Sequence, residues 1–190
     1  MLLLGHAGIT LGAATLLAGA VKSRHSSHIK GVSWLTSLGS YVDIRILLVG
    51  SLLPDIIDKP VGNFIFRDTF SNGRIFLHTL LFLILITAAG FYLYKLRRQV
   101  WLLTLAFGTF MHLLLDEMWF APNTLFWPIF GFTFEKVEIT SLIFRWLYGL
   151  VSYPHIFIPE MVGIIILLWF GVTLAGRKKI GVFIKYGKVG

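Results

Sequence analysis

Four long apolar runs constrain this chain more than any other feature of its sequence. A helix that rises about 1.5 Å per residue crosses about 30 Å of hydrocarbon in about 20 residues, so runs of this length predict membrane-spanning helices. The runs cover residues 2–21, 75–94, 100–120 and 158–175. We therefore predict an all-α integral membrane protein.

A fifth, weaker run covers residues 44–57 and is interrupted by Pro54. It is short for a complete span, so it either begins earlier in the chain or lies partly buried among the other helices. Counting it, we predict a single membrane-embedded domain over residues 1–190, built as a bundle of about five transmembrane helices. The predicted spans are 2–21, 41–58, 75–94, 99–120 and 158–175, followed by a basic tail at 176–190.

The segment between the last two spans, 121–157, is rich in aromatic residues and proline. Residues 139–148 within it have the spacing of an amphipathic helix, which predicts an interfacial helix or lid between helices four and five. Of the 17 Lys and Arg residues, 12 fall in the segments that this helix order places on one side. By the positive-inside rule that side is cytoplasmic, so we predict an inner (plasma) membrane protein with its amino terminus outside and its carboxyl terminus inside.

The composition limits which metal ligands and which partners the chain can have. The chain is 56% hydrophobic and 14% charged, and it has no cysteine. Disulfides and thiolate ligands are therefore excluded, and any metal must be held by histidine and carboxylate. The net charge of +8 would favour nucleic-acid binding on a soluble protein. Here the basic residues flank the apolar runs, so we predict the membrane as the partner and no nucleic acid.

Acidic residues and histidines gather at the opposite, outer end of the predicted helices. Ionisable groups in spanning helices are costly, and each one invites a functional hypothesis. His112 and Asp116 lie one helical turn apart and so can grip one ion. Taken singly, the others could be a packed histidine, a helix end, a loop charge or an interhelical hydrogen bond. Together they predict a metal site with the ligands His6, Asp55, His78, His112 and Asp116, beside Asp58.

Four short motifs in a fixed order carry a resemblance to a known family. They are Gly5-His6-Ala7, Leu52-Leu53-Pro54-Asp55-Ile56-Ile57-Asp58, Arg74-x-x-x-His78-Thr79 and His112-Leu113-Leu114-Leu115-Asp116. Over residues 5–131 the chain resembles the YdjM-like membrane-bound metal-dependent hydrolases. That family typically has a His-Arg-Gly-x-Thr-His-Ser box. Here Gly73, Leu77 and Thr79 stand in place of its first His, its Thr and its Ser, whereas Arg74 and His78 remain.

The order of the ligands is also similar to that of zinc-dependent phospholipases C, which are soluble helical enzymes. This resemblance implies that the five ligands hold one or two divalent ions and that Asp116 bridges them. It implies zinc, with manganese or iron as alternatives.

We therefore expect a metal-dependent hydrolase of a phosphoester, acting on a membrane lipid or lipid-linked substrate at the outer face. Arg74 would neutralise phosphoryl oxygens, and Asp58 would act as general base or would orient a ligating histidine. Lys59, Arg67 and Arg145 would bind the head group. The alternative is a non-enzymatic metal-binding membrane protein: a sensor, an assembly factor or a transport component. Its ionisable groups all lie at one end, which counts against transport.

Overall fold

The computed structural model describes residues 2–25, 42–136 and 152–188. All regular elements in these segments are helical. The α-helices are α1 (Leu3–His25), α2 (Ile44–Pro60), α3 (Leu80–Arg97), α4 (Trp101–Leu115), α5 (Pro122–Leu125), α6 (Pro154–Gly176) and α7 (Ile180–Tyr186). A π-helical turn, Val61–Ile65, follows α2, and 3-10 turns cover Phe76–His78 and Met118–Phe120.

Three of the described helices are long and apolar enough to cross a membrane: α1 over Leu3–Val21, α3 and α6. Helix α4 is apolar but has 15 residues, and α2 is not among the span-capable helices. The all-helical fold is thus confirmed, and three of the about five expected spans are long and apolar enough to cross a membrane. The predicted interfacial helix at 139–148 lies outside the described residues.

Two helices are shorter than the predicted spans, one because of a polar cap and the other because of a change in backbone conformation. Helix α3 begins at Leu80 rather than at residue 75, since the Thr79 side chain accepts a hydrogen bond from the Phe82 N–H and caps the helix there. Helix α4 ends at Leu115, two residues before Glu117, whose left-handed φ of 52° turns the chain away from the helix axis. His78 therefore lies before the start of α3, and Asp116 directly follows α4.

Glycine allows α2 and α4 to pack in parallel with their backbones in contact. A Cβ on Gly108 would lie 2.6 Å from the carbonyl oxygen of Leu47, and one on Gly50 would lie 2.5 Å from that of Leu105. Small residues at such crossings allow close approach of helices in membranes. This packing brings the carboxyl ends of α2 and α4 side by side.

A second close pair joins α1 and α6, again in parallel. A Cβ on Gly8 would overlap the backbone of Gly163, and one on Gly163 would lie 2.6 Å from the Cα of Gly5. The amino ends of α1 and α6 therefore lie together. Since the amino end of α1 meets the carboxyl ends of α2 and α4 through His6 and Asp116, all four helix ends surround one region of the bundle.

The opposite end of the bundle has an apolar core and a basic surface. Its buried side chains come from α1, α2 and α6, and α7 packs on them through Phe170 and Phe183, with ring centroids 5.4 Å apart. Asp43 caps α2 and accepts from the Arg45 side chain. That hydrogen bond lowers the pKa of Asp43. At this end Asp43 and Arg45 are therefore paired with each other, with 2.7 Å between Arg45 Nη2 and Asp43 Oδ2.

Candidate metal centre

Two helix ends and one turn bring together the Asp/His group, which consists of Asp55, His78, His112 and Asp116. Each residue offers one ligand atom, these atoms lie within 4.8 Å of one another, and all four residues are buried. Asp55 Oδ1 lies 3.6 Å from His78 Nε2 and 3.7 Å from His112 Nε2, and the two Nε2 atoms are 3.3 Å apart. Four of the five predicted ligands therefore converge on one point.

The imidazole rings are held so that their Nε2 atoms face this point. His112 Nδ1 lies 2.7 Å from the carbonyl oxygen of Ser51, and His78 Nδ1 lies 2.7 Å from Asp58 Oδ2. Because these oxygens accept, each Nδ1 carries the proton, and in a neutral ring Nε2 then presents a lone pair. This is the usual arrangement of metal-ligating histidines, in which an outer hydrogen bond fixes the tautomer and the ring orientation.

Asp58 orients the loop as well as the histidine. Its Oδ2 accepts hydrogen bonds from the backbone N–H groups of Ile75, Leu77 and His78 at 3.0, 2.9 and 3.2 Å. Asp58 is 1% exposed. The sequence predicted that Asp58 acts either as a general base or as a residue that orients a histidine. These contacts support the orienting role, because Oδ2 already accepts hydrogen bonds from His78 and its turn.

Each carboxylate of the Asp/His group also contacts one basic side chain. Lys59 Nζ lies 2.6 Å from Asp55 Oδ2, one helical turn away on α2. Arg74 Nη2 lies 2.9 Å from Asp116 Oδ2 and reaches it from the loop before α3. The Arg74 side chain is 42% exposed, so its guanidinium borders both the buried group and the surface.

His6 joins the site from α1 but stands slightly apart. Its ring stacks on that of His112 with centroids 4.2 Å apart, and its Nδ1 lies 2.8 Å from the Leu2 carbonyl oxygen. Its Nε2 faces Asp116 Oδ1 at 3.2 Å. His6 thus contacts one oxygen of Asp116, whereas the other oxygen faces His78 and His112.

The donor set fits a divalent cation. In the described part of the chain, Asp55 Oδ1 and His6 Nε2 are buried and make no hydrogen bond. Buried polar atoms without partners are costly, and two imidazole lone pairs facing each other repel. A cation within the Asp/His group would satisfy Asp55 Oδ1 and the two facing Nε2 atoms of His78 and His112. Imidazole and carboxylate ligands suit zinc, manganese or iron.

Comparison with known proteins identifies the family of the chain. Residues 1–180 match the family of the YdjM inner membrane protein. The chain belongs to that family. Comparisons with curated proteins and with solved structures found no match. The YdjM family assignment confirms the resemblance seen in the sequence, and with the span-capable helices it identifies an inner membrane protein.

Of the residues predicted to bind the head group in this YdjM family member, Lys59 lies beside the Asp/His group. Arg67 is exposed after the π-helical turn, and Arg145 lies outside the described residues. Two cavities open on either side of the site. The lysine-side cavity, about 500 Å³, is lined by Asp55 and Lys59, and the arginine-side cavity, about 550 Å³, by Arg74 and Asp116.

One functional candidate escaped the prediction. Glu160 on α6 is 2% exposed and lines the lysine-side cavity. Its sequence signal was a lone acidic residue at the start of an apolar run, to which no role could be given without knowing its neighbours. The structure supplies them: Glu160 Oε2 accepts a hydrogen bond from the Gly5 N–H at 3.0 Å, next to His6.

Proposed function

We propose that this protein is a metal-dependent hydrolase of a phosphoester, carried by a membrane lipid or lipid-linked substrate, at the extracytoplasmic face of the inner membrane. The observation that carries the proposal is Arg74, held 2.9 Å from Asp116 and still 42% exposed at the mouth of a cavity. A structural metal site needs no cation beside its ligands. A site that binds phosphoryl oxygens does, because arginine presents paired donors to them.

The chain's own residues divide the work as follows. A bound divalent metal would supply Lewis acidity to a water molecule and to the phosphoryl group. Arg74 binds phosphoryl oxygens as negative charge develops on them. Asp58 keeps the His78 ring in one tautomer and orientation. The apolar walls limit the entry of water, while a lipid reaches the two cavities by lateral diffusion in the bilayer.

Arg74→Ala tests this proposal. We expect the variant to retain its metal and to lose phosphoester turnover by at least roughly a hundredfold, the scale of one lost transition-state contact. Arg74→Lys should recover part of the loss because it restores charge without the paired donors. Metal content by elemental analysis and turnover of a panel of lipid phosphoesters are the readouts, and Arg97→Ala, at the other end of α3, is the control.

Two results would count against hydrolysis. One is the absence of turnover by metal-loaded wild-type protein across the panel. The other is an Arg74→Ala variant as active as wild type. Metal bound without turnover would leave the non-enzymatic metal-binding role.

The location of the site is tested separately. The chain has no cysteine, so a single one can be introduced at Ser26 or at Glu135 and labelled with an impermeant reagent. We expect Glu135→Cys to be labelled from outside the membrane and Ser26→Cys only from inside, as the distribution of Lys and Arg predicts. Labelling of both from one side would overturn the orientation.

A further inference from the structure

The lysine-side cavity has an apolar wall and a charged inner end. The wall is made by side chains such as Leu3, Ile56, Phe64 and Ile164, and the charges are those of Asp55, Lys59 and Glu160. Leu3, Ile56 and Phe64 are also exposed at the outside of the bundle, so the cavity is continuous with the lipid-facing surface. Its volume of about 500 Å³ falls within the roughly 300–1,000 Å³ of small-molecule sites.

Glu160 has one oxygen in use and one without a partner. Its Oε2 accepts from the Gly5 N–H. Its Oε1 is buried and, among the described residues, makes no hydrogen bond. A buried carboxylate is costly unless it is paired and hydrogen-bonded. A protein that retains one beside an apolar cavity therefore has a place for a cationic hydrogen-bond donor.

The charged side chains in the lysine-side cavity differ in whether they already face an opposite charge. Lys59 Nζ lies 2.6 Å from Asp55 Oδ2, so that cation already faces an anion of the chain. Glu160 has the Gly5 N–H, which is neutral. The lysine-side cavity therefore lacks a positive charge opposite Glu160.

We propose that the lysine-side cavity binds a phospholipid whose head group carries a primary ammonium, with the ammonium donating to Glu160 Oε1. The acyl chains lie along the apolar wall toward the bilayer, and the phosphate is directed toward the metal centre. The inference deepens the proposed function, on which it rests for the choice of a lipid, by naming the head-group chemistry. Its test measures binding alone.

Two lipids isolate the ammonium. Phosphatidylethanolamine and phosphatidylcholine with identical acyl chains have the same net charge, but the ammonium N–H donors exist only in the first. Purified full-length protein in detergent is incubated with an equimolar mixture, washed, and the retained lipids are quantified by mass spectrometry. Wild type should retain phosphatidylethanolamine over phosphatidylcholine by roughly tenfold, the scale of one hydrogen bond to a charged group.

Glu160→Gln is the matched variant. The amide oxygen can still accept from the Gly5 N–H, but the group that faces the cavity becomes an N–H donor, so the preference should fall close to one. Metal content should stay at the wild-type level, which separates lost lipid recognition from a displaced α1. Glu135→Gln makes the same change at an exposed position and should keep the preference.

The measurement is repeated in the Arg74→Ala background, in which slow turnover cannot deplete either lipid. Equal retention of the two lipids by wild type would overturn the inference, and so would an unchanged preference in Glu160→Gln. A clear preference without any hydrolysis would support the lipid site while removing the proposed function. Hydrolysis without the preference would support the proposed function and overturn the proposed lipid site.

Discussion

The two sides of the metal centre are built alike and surrounded differently. On each side a carboxylate of the Asp/His group meets a basic side chain: Asp55 with Lys59, and Asp116 with Arg74. Helix α6 adds one ionisable residue to the lining of each cavity, Glu160 on the lysine side and His155 on the arginine side. The lysine side is walled by aliphatic residues and Phe64, whereas Trp119, Glu117 and the exposed guanidinium border the arginine side.

The difference separates two tasks. Lys59 lies on the same helix as Asp55 and neutralises it over one turn, which is a local ion pair that any folded α2 would form. Arg74 comes from a loop and meets Asp116 only in the assembled bundle. A guanidinium held in this way can exchange an oxygen of the protein for one of a phosphoryl group. We therefore propose the arginine side as the reaction site and the lysine side as the lipid-binding site.

The largest expected effect comes from a residue that both sides share. His112→Ala removes the imidazole that faces Asp55 and Asp116 at 3.7 and 4.0 Å. We expect the variant to lose nearly all bound metal, together with any activity. Elemental analysis of protein purified without chelators is the measurement. His25→Ala, at the far end of α1, should bind metal normally, and equal metal content in the two variants would disprove the site.

A smaller loss is expected for Asp58→Asn. The amide can accept a hydrogen bond, but it no longer provides the negative charge that favours the His78 tautomer with its proton on Nδ1. Loss of such an outer partner typically weakens metal binding 10–100-fold. Metal titration of the stripped protein measures this. An affinity equal to that of wild type would mean that the turn, rather than the carboxylate charge, positions His78.

The smallest effect is expected on the lysine side. Lys59→Met keeps the length of the side chain and removes its charge, and a metal ion at Asp55 would supply the missing positive charge. We expect metal content to be retained and turnover to fall less than roughly tenfold, against roughly a hundredfold for Arg74→Ala. Turnover of the same lipid phosphoesters is measured in parallel for Lys59→Met and Arg74→Ala. Equal losses in the two variants would show that both sides bind the phosphoryl group.

The sequence predicted the parts of the site that depend on helical periodicity and apolar length. His112 and Asp116 are one turn apart, and helix parity placed the ends of α1, α2 and α4 together. The number of spans was harder to predict, because α2 and α4 are short and their burial depends on glycine contacts such as Gly50 with Leu105. A hydropathy pattern records the length of a run and not the partner that covers it.

Contacts made by loops and by isolated residues could not be predicted. Four donors meet one oxygen of Asp58 only because the chain from Ile75 to His78 folds back on α2. Glu160 was visible as a charge near an apolar run, but its neighbour Gly5 lies 155 positions away in the sequence. Such pairings follow from how α1 packs on α6, which no local pattern encodes.

The close packing of α2 on α4 has a consequence for biogenesis. Helix α2 contains Asp55 and Asp58 and falls outside the span-capable helices, and carboxylates within a spanning segment oppose membrane insertion. Its partner α4 is synthesised later, after the whole of α3. During translation α2 therefore lacks the α4 surface that covers Gly50 and Ser51 until α4 has been synthesised. A chain stopped before Trp101 would leave Asp55 and His78 without His112 and Asp116. The chain would then complete the metal-binding group only after His112 and Asp116, in the second half of the sequence, have been synthesised.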